Sequence, residues 1–237
     1  MRFSQNKMRE TELDARLFAA AGLVRQGACF ADIGTDHARL PLFLLADGKI
    51  SFAYACDVAR GPLASAEAAI RAAGEEARCR TVLCDGASLL SDLGITDYAV
   101  CGMGGELIAR IISDAPWLAD PEVRLTLQPM TRASHLRRFL AKNGFSIREE
   151  RFVIAAKRAY VCMSVEYTGR FRDIDGVEAE IGAYPNRSEA FFAYARARIS
   201  ALRKEAMGAA CRGEASDAGR VADEIETMLR NIETGEI

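Results

Sequence analysis

The sequence has few of the residues that build metal centres and disulfide frameworks. It contains two histidines, and none of its seven cysteines stands in a C-x-x-C spacing with another. Structural zinc sites are built from such clusters, so we expect no bound metal. Most of the cysteines lie in or beside apolar runs that are typical of strands. We interpret them as reduced core residues of a cytoplasmic protein.

Long apolar segments and a strong net charge are also missing. No apolar run approaches the length of a membrane-spanning helix, and residues 1–14 contain no apolar stretch of the kind found in secretion signals. The sequence therefore predicts neither membrane insertion nor secretion. The net charge of −2 gives no overall sign of nucleic-acid binding. Half of the 237 residues are apolar, which is enough for the core of one large domain, with or without an appendage.

Charge is nevertheless unevenly distributed along the chain. Residues 124–158 hold nine Lys and Arg residues against two acids, whereas residues 213–237 hold seven acids against two arginines. A phosphate backbone responds to the local field and not to the total charge. The basic stretch is therefore a candidate surface for a phosphate-bearing partner.

Short apolar runs alternate with helical patterns through the first two thirds of the chain. Continuous apolar strands separated by helices indicate βαβ units and a parallel sheet that is covered on both faces. The predicted fold is an α/β, doubly wound, mostly parallel, Rossmann-like sheet. The predicted strands are 28–34, 51–57, 80–85, 97–105 and 123–129, with a closing pair at 145–154 and 159–167, and the predicted helices are 11–25, 61–74 and 132–144.

From about residue 175 the strand pattern stops and two amphipathic helices follow. Apolar residues recur at steps of three and four from Phe192 to Ala206 and again from Ala218 to Ile232. The segment CRGEASDAG between them is typical of a turn. We predict a C-terminal helical hairpin, and we divide the chain into a domain at 1–170 and a small helical module at 175–237.

Acids and glycines stand at the ends of the first four predicted strands. In an open parallel sheet, ligands bind beyond the carboxyl ends of the strands, where the strand order reverses. An acid after the second strand suits a ribose diol, and an acid after the third suits the exocyclic amine of adenine. One such acid is most often a helix N-cap, but three in consecutive units favour a nucleotide site. The predicted cofactor-binding residues are Asp32, Gly34, Asp57, Asp85, Gly102, Met103 and Gly104.

The glycine-rich loop of a dinucleotide site is absent. After Gly34 the sequence continues TDHAR, without the second and third glycines of G-x-G-x-x-G. Asp36 would repel a pyrophosphate, but it would tolerate a sulfonium cation. This difference favours S-adenosyl-L-methionine over NAD as the cofactor.

Several segments together carry a resemblance to a known enzyme family. They are ADIGTDHARLP, CDVARGPL, CDGASLL, CGMGGELIARI, and LTLQP followed by HLRRFLAKNGFSI. Over about residues 11–170 these motifs resemble the bacterial tRNA (adenine-22-N1)-methyltransferase family. The resemblance implies a class I methyltransferase domain, a C-terminal coiled-coil-like arm, S-adenosyl-L-methionine as cofactor and tRNA as partner.

The resemblance also bears on the substrate base. The family usually has tyrosine where this chain has Arg39, so either the guanidinium stacks on the base in place of the ring, or the substrate differs. The D/N-P-P-[YF] signature of exocyclic-amine methyltransferases is absent after the fourth strand, which agrees with a ring nitrogen as the target. N1 of adenine already carries an in-plane lone pair, so the catalytic residues need only orient the base and offset the developing charge. The expected catalytic residues are Asp36, His37 and Arg39.

The leading interpretation is a methyltransferase that acts on N1 of an adenine in tRNA. The alternatives are a methyltransferase for another RNA or a small molecule, a catalytically inactive RNA- or nucleotide-binding module, and, third, an NAD-dependent oxidoreductase. We expect Arg137 and Arg138, in the helix after the fifth strand, to contact tRNA phosphates. The acidic last helix is expected either to face away or to pair with the first helix of the hairpin. The sequence carries no pattern that indicates an oligomeric state.

Overall fold

The computed structural model describes residues 13–183 and 185–235, and a single seven-stranded sheet organises them. Its strands are β1 (Ala28–Ile33), β2 (Ile50–Asp57), β3 (Cys79–Leu83), β4 (Asp97–Gly104), β5 (Arg124–Thr131), β6 (Phe145–Ala155) and β7 (Arg158–Tyr167). The strand order is β3-β2-β1-β4-β5-β7-β6. β1 to β5 pair in parallel, and β7 runs antiparallel between β5 and β6. The predicted doubly wound, mostly parallel sheet is confirmed.

The direction of strand addition reverses at the centre of this sheet. β1 pairs with β2 on one side and with β4 on the other, so the chain builds outward in both directions from β1. The carboxyl ends of β1 and β4 therefore lie side by side with a crevice between the loops that follow them. Ligands of α/β sheets bind at this topological position.

Helices cover both faces of the sheet. They are α1 (Ala15–Leu23), α2 (Arg39–Ala46), α3 (Arg60–Ala73), α4 (Gly105–Ser113), α5 (Ala133–Lys142), α6 (Gly176–Ile181), α7 (Glu189–Arg212) and α8 (Ala218–Thr234), with a short 3-10 helix at Pro116–Leu118. A hydrophobic core lies on each face of the sheet, and neighbouring side chains of β1 belong to different cores. Phe30 packs with residues of α1 to α3, and Ala31 packs with residues of α4 and α5. None of the helices in residues 13–183 and 185–235 has the length and apolar composition to cross a membrane.

The N-terminal helix is shorter than the predicted 11–25. Its first turn is capped by Asp14, whose Oδ1 accepts hydrogen bonds from the backbone N–H groups of Arg16 and Leu17 at 2.9 and 3.1 Å. An acceptor at this position satisfies N–H groups that have no partner inside the helix, and so it defines where the helix begins. Val24 is extended and ends the helix. Residues 11 and 12 lie outside the described residues.

The two C-terminal helices form the predicted hairpin and pack onto the closing strands. α7 contacts both β6 and β7, and the rings of Phe152 and Phe191 meet edge to face with centroids 5.1 Å apart. Ion pairs join the two helices, with Arg196 at 2.8 Å from Glu233 and Arg203 at 2.7 Å from Glu226. Of the two expectations for the acidic helix, pairing with the first helix is therefore confirmed. The division into domains at 170–175 stays a prediction.

Candidate active site

The loop after β1 is held in an uncommon shape at the centre of the sheet. Gly34 has a φ of +75°, and His37 and Ala38 also lie in the left-handed region, at +57° and +51°. The N–H groups of Gly34 and Thr35 both donate to the carbonyl of Cys56 in β2, at 2.8 and 2.9 Å. Left-handed residues other than glycine cost free energy and cluster at ligand sites. The loop is therefore hydrogen-bonded to β2 and lies where the strand order reverses.

An open cavity of about 340 Å³ lies beside this loop, between the ends of β1, β4 and β5 and the start of α1. We call it the switch-point cavity. Its lining consists of Asp14, Arg16, Leu17, Asp32, Gly34, Asp36, Arg39, Leu40, Cys101, Gly102 and Gln128. The lining combines backbone from two glycines with three carboxylates and two guanidinium groups, which is a polar site suited to a charged ligand.

The residues predicted from the sequence divide into two groups. Asp32, Gly34, Asp36, Arg39 and Gly102 belong to the lining of the switch-point cavity. Among the described residues, His37, Asp57, Asp85, Met103 and Gly104 stand outside that lining. The structure therefore brings the first group together, and the roles of all ten residues stay predictions.

Asp32 is a buried carboxylate within the cavity. Its Oδ2 accepts a hydrogen bond from the Thr35 hydroxyl at 2.8 Å. Burial raises the pKa of Asp32 to about 6, the Thr35 hydrogen bond opposes this shift, and the nearby Asp57 carboxylate adds to it. An ionised carboxylate in such surroundings is stabilised by an opposite charge. The position therefore suits a ligand that carries a positive charge.

Asp36 and His37 form a close pair at the rim of the cavity. Oδ1 of Asp36 lies 3.2 Å from Nε2 of His37, and the two side chains are 76% and 50% exposed. Arg39, the first residue of α2, is also exposed and lines the same cavity. This geometry allows His37 to orient the Asp36 carboxylate, and it leaves both Asp36 and Arg39 accessible to an incoming substrate.

The acids after β2 and β3 differ in their surroundings. Asp57 ends β2, and its Oδ1 accepts a hydrogen bond from the N–H of Ala59 at 2.8 Å, which orders the turn into α3. A carboxylate has about four lone-pair sites, so this one bond leaves capacity for a ribose diol. Asp85 lies two residues beyond the end of β3 and is exposed. Its carbonyl accepts a hydrogen bond from the N–H of Ser88 at 3.1 Å.

A glutamine from β5 holds the first of the glycines at the end of β4. Gly102 has a φ of +78°, and its N–H donates to Oε1 of Gln128 at 3.2 Å. Nε2 of Gln128 donates in turn to the carbonyl of Pro129 at 3.0 Å, so both ends of this buried amide are fixed. Met103 fills the space beside Gly34, because a Cβ at position 34 would lie 2.0 Å from Cε of Met103. The two glycine turns, at Gly34 and Gly102, therefore pack closely where the strand order reverses.

Two comparisons of the sequence identify the family. A family model described as a methyltransferase domain matches residues 13–163. The tRNA (adenine(22)-N(1))-methyltransferase of Bacillus subtilis (strain 168) is 30% identical over 175 residues, which are 74% of this chain and 74% of that protein. The chain belongs to the tRNA (adenine(22)-N(1))-methyltransferase family. The resemblance stated from the sequence motifs is confirmed.

Solved structures of methyltransferases share the fold of this family member. One Streptococcus pneumoniae protein, assigned to the tRNA (m1A22) methyltransferases and crystallised with S-adenosyl-L-methionine, is 29% identical, with a TM-score of 0.79 over 90% of this chain and 99% of that one. The B. subtilis m1A22 tRNA methyltransferase TrmK is 22% identical and has the same fold, with a TM-score of 0.76 over 94% of this chain and 97% of that one.

Six of the eleven lining residues of the switch-point cavity were missed by the sequence analysis, and three of these are polar: Asp14, Arg16 and Gln128. Asp14 and Arg16 come from the start of α1, and Nη1 of Arg16 lies 2.6 Å from Sδ of Met130 in β5. No spacing in the sequence marks such a contact, because only folding brings residue 16 to the fifth strand. Gln128 did carry a signal, since it stands at a strand end within the family motif LTLQP.

The structure contradicts the predicted place of Arg137 in a tRNA-binding surface. Its side chain is 1% exposed and forms an ion pair with Glu150 at 2.8 Å. Nη1 also donates to the carbonyls of Ala179 and Glu180 at 2.9 and 3.0 Å. A guanidinium that is buried and paired in this way does not reach a phosphate. The expectation was wrong because Arg137 lies on the inner face of α5, whereas its neighbour Arg138 is exposed.

Proposed function

We propose that this protein is an S-adenosyl-L-methionine-dependent methyltransferase that methylates N1 of an adenine in tRNA, with adenine 22 as the target named in its relatives. The observation that carries the proposal is the switch-point cavity, where a buried carboxylate, an exposed carboxylate and two glycine turns converge in a chain of this family. A cytoplasmic location, where tRNA and the cofactor occur together, is part of the proposal.

The residues of the cavity fit the cofactor. S-adenosyl-L-methionine supplies, when bound, a methyl group on a positively charged sulfur, and the sulfur keeps the electron pair when that methyl group leaves. Asp32 and the backbone at Gly34, Gly102 and Gly104 would hold the methionine part. The positive charge of that part would stabilise the ionised Asp32 carboxylate. We assign the ribose diol to Asp57 and the adenine amine to Asp85, with Met103 packed beside them. A side chain at position 34 would require Met103 to move and would be strained by the φ of +75°.

The catalytic roles fall to the exposed rim. N1 of adenine attacks with a lone pair that it already has, so the reaction needs no strong base. Asp36 would accept a hydrogen bond from the exocyclic amine and offset the positive charge that develops on the ring. His37 would orient Asp36, and the Arg39 guanidinium would stack on the base where most of the family has tyrosine. The base must leave its stack in the tRNA to reach this rim.

A nucleoside analysis tests the proposed reaction directly. The protein is incubated with tRNA and isotopically methyl-labelled S-adenosyl-L-methionine, and the digested nucleosides are separated by mass spectrometry. Labelled 1-methyladenosine is the expected product, mapped to one position of the tRNA. Label in another nucleoside would favour another RNA substrate, and no label with retained cofactor binding would favour an inactive binding module. In calorimetry, tight binding of NAD but not of S-adenosylhomocysteine would contradict the proposal.

Asp57→Ala is expected to weaken cofactor binding at least tenfold. The carboxylate would accept two charge-assisted hydrogen bonds from the ribose diol, each contributing about 1.5–3 kcal/mol. Calorimetric titration with S-adenosylhomocysteine gives the dissociation constant, and circular dichroism checks that the domain stays folded. An unchanged dissociation constant in a folded variant would remove Asp57 from the cofactor site.

Asp32→Asn is expected to stabilise the ligand-free protein in a pH-dependent way. The pKa of Asp32 is raised from 3.8 to about 6 by burial, so the folded state binds the proton more tightly than the unfolded state does. The free energy of unfolding of the wild type therefore falls as pH rises from about 4 to about 6. Above pH 6 the buried negative charge lowers it by about 3 kcal/mol. Asparagine is neutral and still accepts from Thr35. In urea titrations, the free energy of unfolding of the variant minus that of the wild type should increase by about 2–3 kcal/mol between pH 4 and pH 7. A difference that does not change with pH would contradict this account.

A further inference from the structure

A second, smaller cavity lies beside the switch-point cavity. It has a volume of about 140 Å³ and is formed where β5 ends, β7 begins and α7 crosses them. We call it the flanking cavity. Its lining includes Met130, Arg132, Tyr160, Tyr194, Ala197 and Arg198. Sites for whole small-molecule ligands usually have volumes of about 300–1,000 Å³, so a cavity of this size suits a single ring system.

One side chain separates the two cavities. Arg16 lines the switch-point cavity, and its guanidinium carbon lies 5.4 Å from the centroid of the Tyr160 ring. Nη1 of the same guanidinium lies 2.6 Å from Sδ of Met130. Tyr160 and Met130 in turn line the flanking cavity. The two cavities are therefore adjacent, and the distance between them is about that of one arginine side chain.

The flanking cavity has the chemistry of a nucleotide site. Tyr160 is half-buried and supplies an aromatic ring, whereas Tyr194 is 6% exposed and forms part of the inner wall. Arg132, at the mouth, has a side chain that is 69% exposed. The turn between β6 and β7 places the exposed Lys157 and Arg158 next in sequence to this wall. Unstacked bases are recognised by aromatic rings and guanidinium planes, while cations hold the phosphates. An accessible tyrosine ring in the cavity, with exposed cations beside it, matches one nucleotide of a single-stranded or opened RNA segment.

We infer that the flanking cavity binds the base of a nucleotide next to the target adenine in tRNA. This inference rests on the proposed function. An enzyme that pulls one base out of its stack leaves the neighbouring base without a stacking partner, and a second site one side chain away replaces that partner. Tyr194, Ala197 and Arg198 belong to α7, so the C-terminal hairpin contributes directly to substrate binding.

Filling the flanking cavity tests the inference. Ala197 is exposed and lines the cavity, so Ala197→Trp places an indole where the base would lie. The matched control is Ser200→Trp, an exposed position on α7 one turn further along and outside the lining. We expect Ala197→Trp to raise the KM for tRNA at least tenfold with unchanged calorimetric binding of S-adenosylhomocysteine. Ser200→Trp should stay within about twofold of the wild type in both measurements.

The charge at the mouth provides a second test that does not depend on how the tryptophan packs. Arg132→Gln should weaken tRNA binding and reduce the slope of log K against log salt by about one unit, as for the loss of one phosphate contact. Arg132 also lies 3.8 Å from Glu106. Glu106→Gln is the control, because loss of that ion pair without loss of the cation should leave tRNA binding equal or tighter.

The outcomes distinguish the inference from the function on which it rests. If the wild type does not methylate tRNA, the proposed function fails. If the wild type is active but Ala197→Trp behaves like Ser200→Trp, and Arg132→Gln keeps the wild-type salt slope, the flanking cavity binds no nucleotide and the inference is overturned. A raised KM for Ala197→Trp together with a reduced slope for Arg132→Gln supports it.

Discussion

Asp36→Asn is expected to lower kcat by about 100-fold or more and to change cofactor affinity by no more than a few-fold. Asparagine keeps the shape of the side chain and one acceptor oxygen, but it removes the negative charge that would offset the cation forming on the adenine ring. A 100-fold loss corresponds to about 2.7 kcal/mol of transition-state stabilisation. The exposed position of Asp36 at the rim, beside His37, leaves it accessible to an incoming base, whereas Asp32 in the same cavity is buried.

Single-turnover rates with saturating tRNA, together with calorimetric binding of S-adenosylhomocysteine, separate these two effects. The matched control is Asp92→Asn, which changes an exposed carboxylate in the segment before β4 and should leave both quantities unchanged. Equal losses in rate and in cofactor affinity for Asp36→Asn would move Asp36 from the substrate to the cofactor. A normal rate would remove it from the reaction altogether.

Arg137→Ala is expected to destabilise the fold by about 3–5 kcal/mol, because it leaves the Glu150 carboxylate buried without its partner. Nε of Arg137 donates to Glu150 at 2.8 Å, and Nη1 donates to two carbonyls of α6. The guanidinium also lies over the ring of Tyr194 in α7, 5.7 Å from its centroid. Arg137 thus joins α5, β6, α6 and α7, and its loss should loosen the hairpin from the sheet.

Arg138→Ala is the control for this prediction. Arg138 is the adjacent residue of the same helix, but its side chain is exposed and donates a single hydrogen bond to the carbonyl of Ile174 at 3.1 Å. Its replacement should cost about 1 kcal/mol or less. Urea denaturation of both variants gives the comparison. Equal stabilities of the two variants would show that the buried ion pair does not hold the hairpin.

The burial of Arg137 changes how the tRNA surface is tested. A reversal of both Arg137 and Arg138 to glutamate would place a second carboxylate beside the buried Glu150, at position 137, and unfold this region. A loss of tRNA binding would then carry no information about phosphate contacts. Charge reversal is informative at the exposed cations of the basic stretch, which are Arg132, Arg138, Lys142, Arg148, Lys157 and Arg158.

The sequence by itself determined the sheet and the location of the site. Buried parallel strands leave long apolar runs, and the helices that cover them leave a period of three to four residues, so β1 to β7 and the hairpin were predictable from local patterns. The acids and glycines after the strands were also predictable as a group. Parallel strands bring their carboxyl ends to one edge, which made Asp32, Gly34, Asp36, Arg39 and Gly102 neighbours.

Only the tertiary structure decided which side chains are buried and which distant segments meet. Arg137 and Arg138 are chemically identical and adjacent in the sequence, yet Arg137 forms a buried ion pair and Arg138 faces solvent. Successive positions of a helix are rotated by about 100°, so the two side chains leave the helix in different directions. Arg16 reaches Met130 and Tyr160 although no local pattern links them. Burial and long-range contact depend on how elements pack in three dimensions, and neither the spacing nor the composition of a segment records that packing.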